Sequence, residues 1–246
     1  MRSSKWHAFG NAYLVVERDD LERPLDAAVA RDLSAQAGSD GVVEMIDLRE
    51  AEADVQIWNP DGSQAEFSGN GARIAAAWLA ERTGRPDIRL HFGAREAVAR
   101  VEGKTVALDV GPVEVGKPEE LDLPEGSVTF TPVSVGNPHA VIRRDFGEHD
   151  ARTLGPLVEN HPRFPERTNV QLVRVVGSHE LEIAIWERGA GETSASGSSS
   201  VAAAAAAVAN GWCESPVTVR QPGGELLVIL GADGRATLTG PVEKLS

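Results

Sequence analysis

One stretch of the chain occurs twice, and this repeat limits the fold more than any other feature. The first copy reads Ile57-Trp58-Asn59-Pro60-Asp61-Gly62, then Phe67-Ser68-Gly69-Asn70-Gly71-Ala72-Arg73, then an alanine-rich run to Gly84. The second reads Ile185-Trp186-Glu187-Arg188-Gly189, then Ala195-Ser196-Gly197-Ser198-Ser199-Ser200, then an alanine-rich run to Gly211. In each copy a Trp precedes a Ser-Gly pair by ten positions, and the copies are offset by 128 residues, about half the chain. Each Ser-Gly opens a helix-forming segment that ends at a Gly suited to the C′ position. The pattern predicts a duplicated strand–loop–helix unit, hence two similar halves with the active groups between them.

Helix-end chemistry says what such loops can do. Ser68 and Ser196 stand at N-cap positions, and the residues after them offer backbone N–H groups without intrahelical partners. An N-terminus of this kind holds carboxylates and phosphates. Two of them related by pseudo-twofold symmetry could hold one small anion from both sides and present one hydroxyl each at the neighbouring carbon. The plainer alternative is that both serines are ordinary N-caps of a duplicated fold.

Composition excludes several classes. At 246 residues the chain can bury one large core or two modest ones, and the repeat favours two. The formal charge of −13, from 24 basic and 37 acidic residues without a basic block, argues against nucleic acid and anionic membrane as partners. The first residues lack the apolar core of a signal peptide, and the apolar run Val201 to Ala209 is too short to span a bilayer. The single cysteine, Cys213, rules out an internal disulfide and fits a reducing, cytoplasmic location. Scattered histidines without ligand spacing predict no metal site.

Read in order, residues 5–18 predict two strands joined at Gly10-Asn11. A helix is expected over Pro24 to Ala37, with Leu25, Ala28, Val29 and Leu33 on its apolar face. Strands follow at Val42 to Ile46 and Asp54 to Trp58, and a turn at Asn59-Pro60-Asp61-Gly62. Ser68 to Arg82 is the first central helix, with Ile74, Ala75, Trp78, Leu79 and Arg82 on its face. Alanine all round it predicts burial inside a sheet. Three strands then run from Ile88 to Val110, and Lys117 to Gly126 is expected to be a linker. The second half repeats the order. A strand from Val128 leads into Gly136-Asn137-Pro138-His139, where Pro138 restricts the backbone of Asn137. A short helix spans Thr153 to Glu159, and strands lie after Thr168 and from Glu180 to Trp186. The second central helix covers Val201 to Asn210, and three strands close the chain. The predicted halves are residues 1–116, joined by the C-terminal strand 239–246, and residues 117–238.

At these loops the sequence resembles the diaminopimelate epimerase family, the pyridoxal-phosphate-independent amino-acid epimerases and racemases. The resemblance runs through nearly the whole chain in the family's order. It rests on His7-x-x-Gly10-Asn11, Asn59-x-Asp61-Gly62-Ser63, Ser68-Gly69-Asn70-Gly71-Ala72-Arg73, Gly136-Asn137-Pro138-His139, Thr168-Asn169-Val170 and Glu187-Arg188-Gly189-Ala190-Gly191-Glu192-Thr193. It implies an α+β fold of two pseudo-symmetric halves, each a barrel-like, mainly antiparallel sheet around a central helix. The activity it implies is two-face α-proton transfer on an amino acid without a cofactor. The default conversion is LL-diaminopimelate to the meso form, a step of lysine and peptidoglycan biosynthesis. A homodimer is expected by the same analogy.

The family's two reacting cysteines correspond to Ser68 and Ser196 here. A thiol with a pKa near 8.5 is readily ionised at a helix N-terminus, whereas a serine hydroxyl needs an adjacent base. His139 and Glu187, which sit beside the reacting pair in the family, are the candidates for that base. Ala12 in place of the family's usual Asp and the run Ser198-Ser199-Ser200 are further departures. By resemblance, Asn11, Asn59, Asn137 and Asn169 would bind the substrate's distal groups, and Arg188 would pair its distal carboxylate. Gly69-Asn70 and Gly197-Ser198 would offer N–H donors to the reacting α-carboxylate, with Glu187 accepting from an ammonium. Two other outcomes stay open at this level. One is altered isomerase or lyase chemistry using His139 or Glu187 as the sole base, and the other a non-catalytic amino-acid-binding protein.

Overall fold

The duplication is carried into the strand order. The computed structural model describes residues 3–9, 11–65 and 67–245, which fall into two compact units, Met1–Asp109 with Thr239–Ser246 and Val110–Leu238. In the first unit β1 (Ser3–Ala8) and β2 (Asn11–Glu17) form an antiparallel hairpin, with Trp6 opposite Tyr13. Of the turn expected at Gly10-Asn11, Gly10 lies outside the described residues, while Asn11 is already in β2, paired with Ala8. Helix α1 (Ala27–Ala37) crosses to β3 (Val42–Arg49), which runs parallel to β2. β4 (Glu52–Trp58) returns antiparallel, with the short β5 (Gln64–Ala65) beside it. A second crossover, α2 (Gly69–Thr83), leads to β6 (Asp87–Phe92) parallel to β4, and β7 (Arg95–Glu102) and β8 (Thr105–Pro112) follow antiparallel.

The second unit repeats this arrangement. After β9 (Glu114–Val115) and β10 (Glu119–Leu123), strands β11 (Gly126–Ser134) and β12 (Pro138–Arg143) pair antiparallel. Helix α3 (Asp150–Glu159) crosses to β13 (Asn169–Gly177), parallel to β12, and β14 (Glu180–Glu187) returns antiparallel with β15 (Gly191–Thr193) beside it. Helix α4 (Gly197–Ala209) crosses to β16 (Val217–Gln221), parallel to β14, and β17 (Gly224–Leu230) pairs antiparallel with β16. β18 (Arg235–Pro241) leads out, and β19 (Glu243–Lys244) pairs with β1 in the first unit. Both units thus use the same two parallel crossovers within a mainly antiparallel sheet. This is the α+β architecture of two pseudo-symmetric halves.

Each central helix is lined by the strands of its own unit. α2 packs against β1, β2, β3, β4, β6 and β7, and α4 against β11, β12, β13, β14, β16 and β17. Residues Gly69 to Ala77 of α2 are buried without a break, as are Ser199 to Ala207 of α4. Small side chains let strands approach on every side, so the expectation of all-round burial holds. Larger side chains there would overpack the core at about 1–3 kcal/mol each. Not all of the predicted face of α2 is inside: Arg82 is exposed in the last turn, pairing Glu17 at 2.6 Å. Among the described residues no helix is long and apolar enough to cross a membrane.

Two other expectations need correction. The predicted linker Lys117 to Gly126 contains β10, which pairs with β11 so that Leu121 lies opposite Val128. Proline and glutamate suggested a loop, but the alternation Glu119, Leu121, Leu123 is that of a half-buried strand. Leu121 joins Phe130, Ile142 and Leu172 in the core of this unit. The first helix begins at Ala27, not Pro24, because the Asp26 carboxylate accepts from the Ala28 and Val29 N–H groups and caps it there. Leu25 is therefore buried ahead of the helix, Ala28 is exposed, and Ala30 and Ser34 are the buried residues of the helix. Close packing of α3 on β14 requires Gly155, where a Cβ would sit 2.3 Å from Trp186 Cγ.

Candidate functional site

Each unit carries one serine-capped central helix, and the two caps are hydrogen-bonded differently. In the first unit β4 ends in the turn Asn59 to Gly62, closed by Asn59 N–H to the Ser63 carbonyl and Gly62 N–H to the Asn59 carbonyl. The Asn59 side chain donates to Ser63 Oγ at 2.9 Å, and Ser63 Oγ donates to Asp61 at 2.7 Å, so this turn is internally tied. The chain then reaches Ser68 in extended conformation (φ −136°, ψ 121°), the N-cap of α2. Ser68 Oγ accepts from Gly71 N–H at 3.1 Å and lies 3.3 Å from the Tyr13 hydroxyl oxygen. Gly69 and Asn70 open the helix, where N–H groups lack intrahelical acceptors.

Behind this cap runs a buried relay. Arg73 Nη2 donates to Asn70 Oδ1 at 2.6 Å, and Asn70 Nδ2 donates to Asn11 Oδ1 at 2.5 Å. Asn11 and Asn70 are thus brought together, with the Asn11 amide oriented by Asn70. Arg73 is fully buried, and desolvation lowers its pKa to about 10. Its remaining guanidinium nitrogens, Nε and Nη1, have no hydrogen-bond partner among the described residues.

In the second unit Ser196 (φ −148°, ψ 123°) caps α4, and its Oγ accepts weakly from Ser199 N–H at 3.4 Å. Here the hydroxyl also has a base: Ser196 Oγ donates to Glu187 Oε2 at 3.0 Å, while Thr193 Oγ1 donates to Glu187 Oε1 at 2.8 Å. Burial raises the Glu187 pKa above the ordinary carboxylate value, against the opposing effect of the Thr193 and Ser196 hydrogen bonds. Ser198 Oγ is 3.5 Å from Ser196 Oγ, and Gly197 is the first helical residue. Gln221 Oε1 accepts from Ser196 N–H at 3.0 Å, and Ser200 Oγ donates to the Ser196 carbonyl at 2.9 Å, so the cap is fixed on both sides.

His139 lies on β12 beside Asn169 of β13, with its Nε2 2.9 Å from Asn137 Oδ1. It is 1% exposed, and burial lowers its pKa to about 3, only partly offset by Gln171. Such an imidazole is neutral at physiological pH and has little affinity for a proton. Asn169 is engaged by the protein itself: Nδ2 donates to the Pro138 carbonyl at 2.9 Å, and Oδ1 accepts from Arg188 N–H at 3.0 Å. The Arg188 side chain donates to the Glu166 carbonyl at 3.2 Å. The loop after β14 is pinned by buried Glu159, which accepts from Gly189 N–H at 2.9 Å and from Trp186 Nε1 at 2.7 Å.

The structure therefore joins Ser196, Ser198 and Glu187; Asn11 and Asn70; His139 and Asn137; and Asn169 and Arg188. Asn59 bonds within its own turn. Sequence reasoning passed over Tyr13, Arg73, Thr193, Gln221 and Glu159. Two of these had a signal: Tyr13 is the only tyrosine in the chain, and Arg73 is a charge among the small residues that open its helix.

Comparison with known proteins bears on the chain as a whole. The family model described as diaminopimelate epimerase matches residues 3–116 and 131–245. Diaminopimelate epimerase 2 of Nostoc sp. is 39% identical over 269 residues, covering 100% of this chain and 94% of that protein. The diaminopimelate epimerase of Pseudomonas entomophila is 36% identical, covering 100% and 97%. Among solved structures, a "predicted epimerase" from Pseudomonas aeruginosa superposes with a TM-score of 0.74 at 20% identity, covering 100% of this chain and 97% of the other.

Proposed function

Since the chain belongs to the diaminopimelate epimerase family, we propose that it is a cofactor-independent isomerase that inverts an amino-acid α-carbon, with LL-diaminopimelate as the default substrate. The observation that carries this reading is the hydrogen bond from Ser196 Oγ to Glu187 Oε2 at 3.0 Å. It supplies what a serine needs to replace a thiolate, an adjacent base.

The reaction then runs as follows. The α-proton passes to Ser196 Oγ as the serine's own proton moves to Glu187, leaving the substrate as a carbanion and Glu187 as a neutral carboxyl. Ser68 is assigned the hydroxyl proton that the carbanion takes up with inversion, and the oxygen left behind is held by Gly71 N–H and the N-terminal end of α2. The raised pKa of Glu187 suits this role, because a general base works best when its pKa lies near the working pH. His139 acts as a neutral hydrogen-bonding group and not as the base. Asn11, Asn70, Asn137 and Arg188, with the N–H groups of Gly69 and Gly197, are the groups assigned to substrate recognition. Only Glu187 among the candidate bases is hydrogen-bonded to a cap serine.

Conversion of LL-diaminopimelate to the meso form, followed by chiral chromatography, tests the reading. Removing a positioned base costs about 10²–10⁴-fold, so Glu187→Gln and Ser196→Ala are expected to lose at least that much. Binding of diaminopimelate without conversion by the unaltered protein would replace the enzyme reading with an amino-acid-binding one.

A further inference from the structure

We propose that Tyr13 is the proton source of Ser68, acting through the serine without touching the substrate; this rests on the proton transfer assigned to Ser68 above. Ser196 has a carboxylate within hydrogen-bond distance, and Ser68 has a phenol instead. Its Oγ already accepts from Gly71 N–H at 3.1 Å, and the Tyr13 oxygen lies 3.3 Å away. With both the N–H and the phenol donating to Oγ, the serine's own proton is left for the substrate carbon. A phenol with a pKa near 10 is a far better proton store than an aliphatic hydroxyl.

The fold holds the phenol in place. Tyr13 is 8% exposed and lies on β2, a strand that packs on α2. A Cβ at position 41 would sit 2.8 Å from Tyr13 Cε1 and 2.4 Å from the Trp58 carbonyl oxygen, so Gly41 leaves the space that the ring occupies. On the opposite face of β2, Leu14 and Val16 pack with Leu25 and Ala30. The hydroxyl is therefore presented toward the cap of α2 by a strand anchored on its other side.

The step balances. Ser68 loses its proton to the carbanion, Tyr13 gives its phenolic proton to Ser68 Oγ, and tyrosinate remains until water reprotonates it. The two units thereby take unequal roles, Glu187 with Ser196 as the base and Tyr13 with Ser68 as the acid.

Because the chain has one tyrosine, biosynthetic fluorotyrosine alters this phenol alone. The experiment compares the unaltered protein, Tyr13→Phe, the fluorotyrosine protein and Ser68→Ala on LL-diaminopimelate in D₂O. It measures α-deuterium appearing with retention and with inversion. In Tyr13→Phe, inversion should fall at least about tenfold, within the range a positioned acid contributes, while exchange with retention persists and KM stays within about twofold. The fluorinated phenol, more acidic but the same shape, should change kcat for inversion and leave KM and melting temperature alone. Normal inversion in Tyr13→Phe, with Ser68→Ala inactive, would overturn the role of Tyr13 and leave the epimerase reading standing. Equal loss of both exchange modes in Tyr13→Phe with an unresponsive fluorotyrosine protein would make Tyr13 merely structural and also overturn the proposal. No exchange by the unaltered protein would sink the epimerase reading and this inference with it.

Discussion

Replacing His139 with Gln should remove much of the protein's sensitivity to acid. His139 is buried, and its pKa falls from 6.5 to about 3. A group depressed in this way favours the native state above its unfolded pKa, and that contribution is lost as pH falls through the native one. Between the two values the unfolded chain takes up a proton that the native chain refuses. A displacement of about 3.5 units at 1.36 kcal/mol each corresponds to about 5 kcal/mol in full, of which about 3 kcal/mol is lost between pH 7 and pH 4. That is a large part of the 5–15 kcal/mol typical of a domain. The assay is urea unfolding of both proteins at pH 7, 5.5 and 4. Other groups titrate alike in the two and cancel in the difference. The native protein should lose about 3 kcal/mol more than His139→Gln over this interval. Parallel losses, or a His139 ring resonance titrating near pH 6.5 in the folded protein, would refute the reasoning and restore His139 as a candidate base.

Three other predictions follow from the same geometry. The raised pKa of Glu187 places the acid limb of the pH–rate profile above the ordinary carboxylate value of about 4.3; activity should rise with pH through that limb, and an unshifted limb would separate Glu187 from the chemistry. Gly155→Ala forces a Cβ against Trp186 and should destabilise the protein by about 1–3 kcal/mol in urea unfolding, despite the helix-propensity gain of about 1 kcal/mol; net stabilisation would mean that α3 does not press on β14. Ser68→Cys combined with Ser196→Cys should raise epimerisation in the same chromatographic assay, since thiols ionise far more readily at helix N-termini; unchanged conversion with binding retained would point to a different substrate or reaction.

The repeat was legible because it is written in residues with local meaning. Trp, Ser-Gly and an alanine run specify strand, cap and buried helix without reference to the rest of the chain, and Ser68 and Ser196 sit where that logic puts them. β10 was not legible, because a five-residue strand among prolines and glutamates is marked only by Leu121 finding its core. The start of α1 turned on whether Pro24 or Asp26 closes the first turn, and the cap geometry favoured Asp26. The chemistry divides in the same way. Glu187 beside Ser196 was anticipated as a base, yet His139 looked equal to it, since a sequence does not say which of two titratable groups is dehydrated without a compensating charge. Tyr13 read as an ordinary strand residue, because its approach to Ser68 joins positions 55 residues apart.

The proposed chemistry stands on whether a serine supported by the half-buried Glu187 carboxylate removes an α-proton. The most direct measurement is α-proton exchange in D₂O by NMR, with LL-diaminopimelate and a panel of L- and D-amino acids, on the native protein and on Glu187→Gln. The native protein should remove the α-proton signal of at least one of these amino acids, and the variant should leave it unchanged within the same time. Exchange that is equally fast in Glu187→Gln, or a bound amino acid whose α-proton never exchanges, would contradict it.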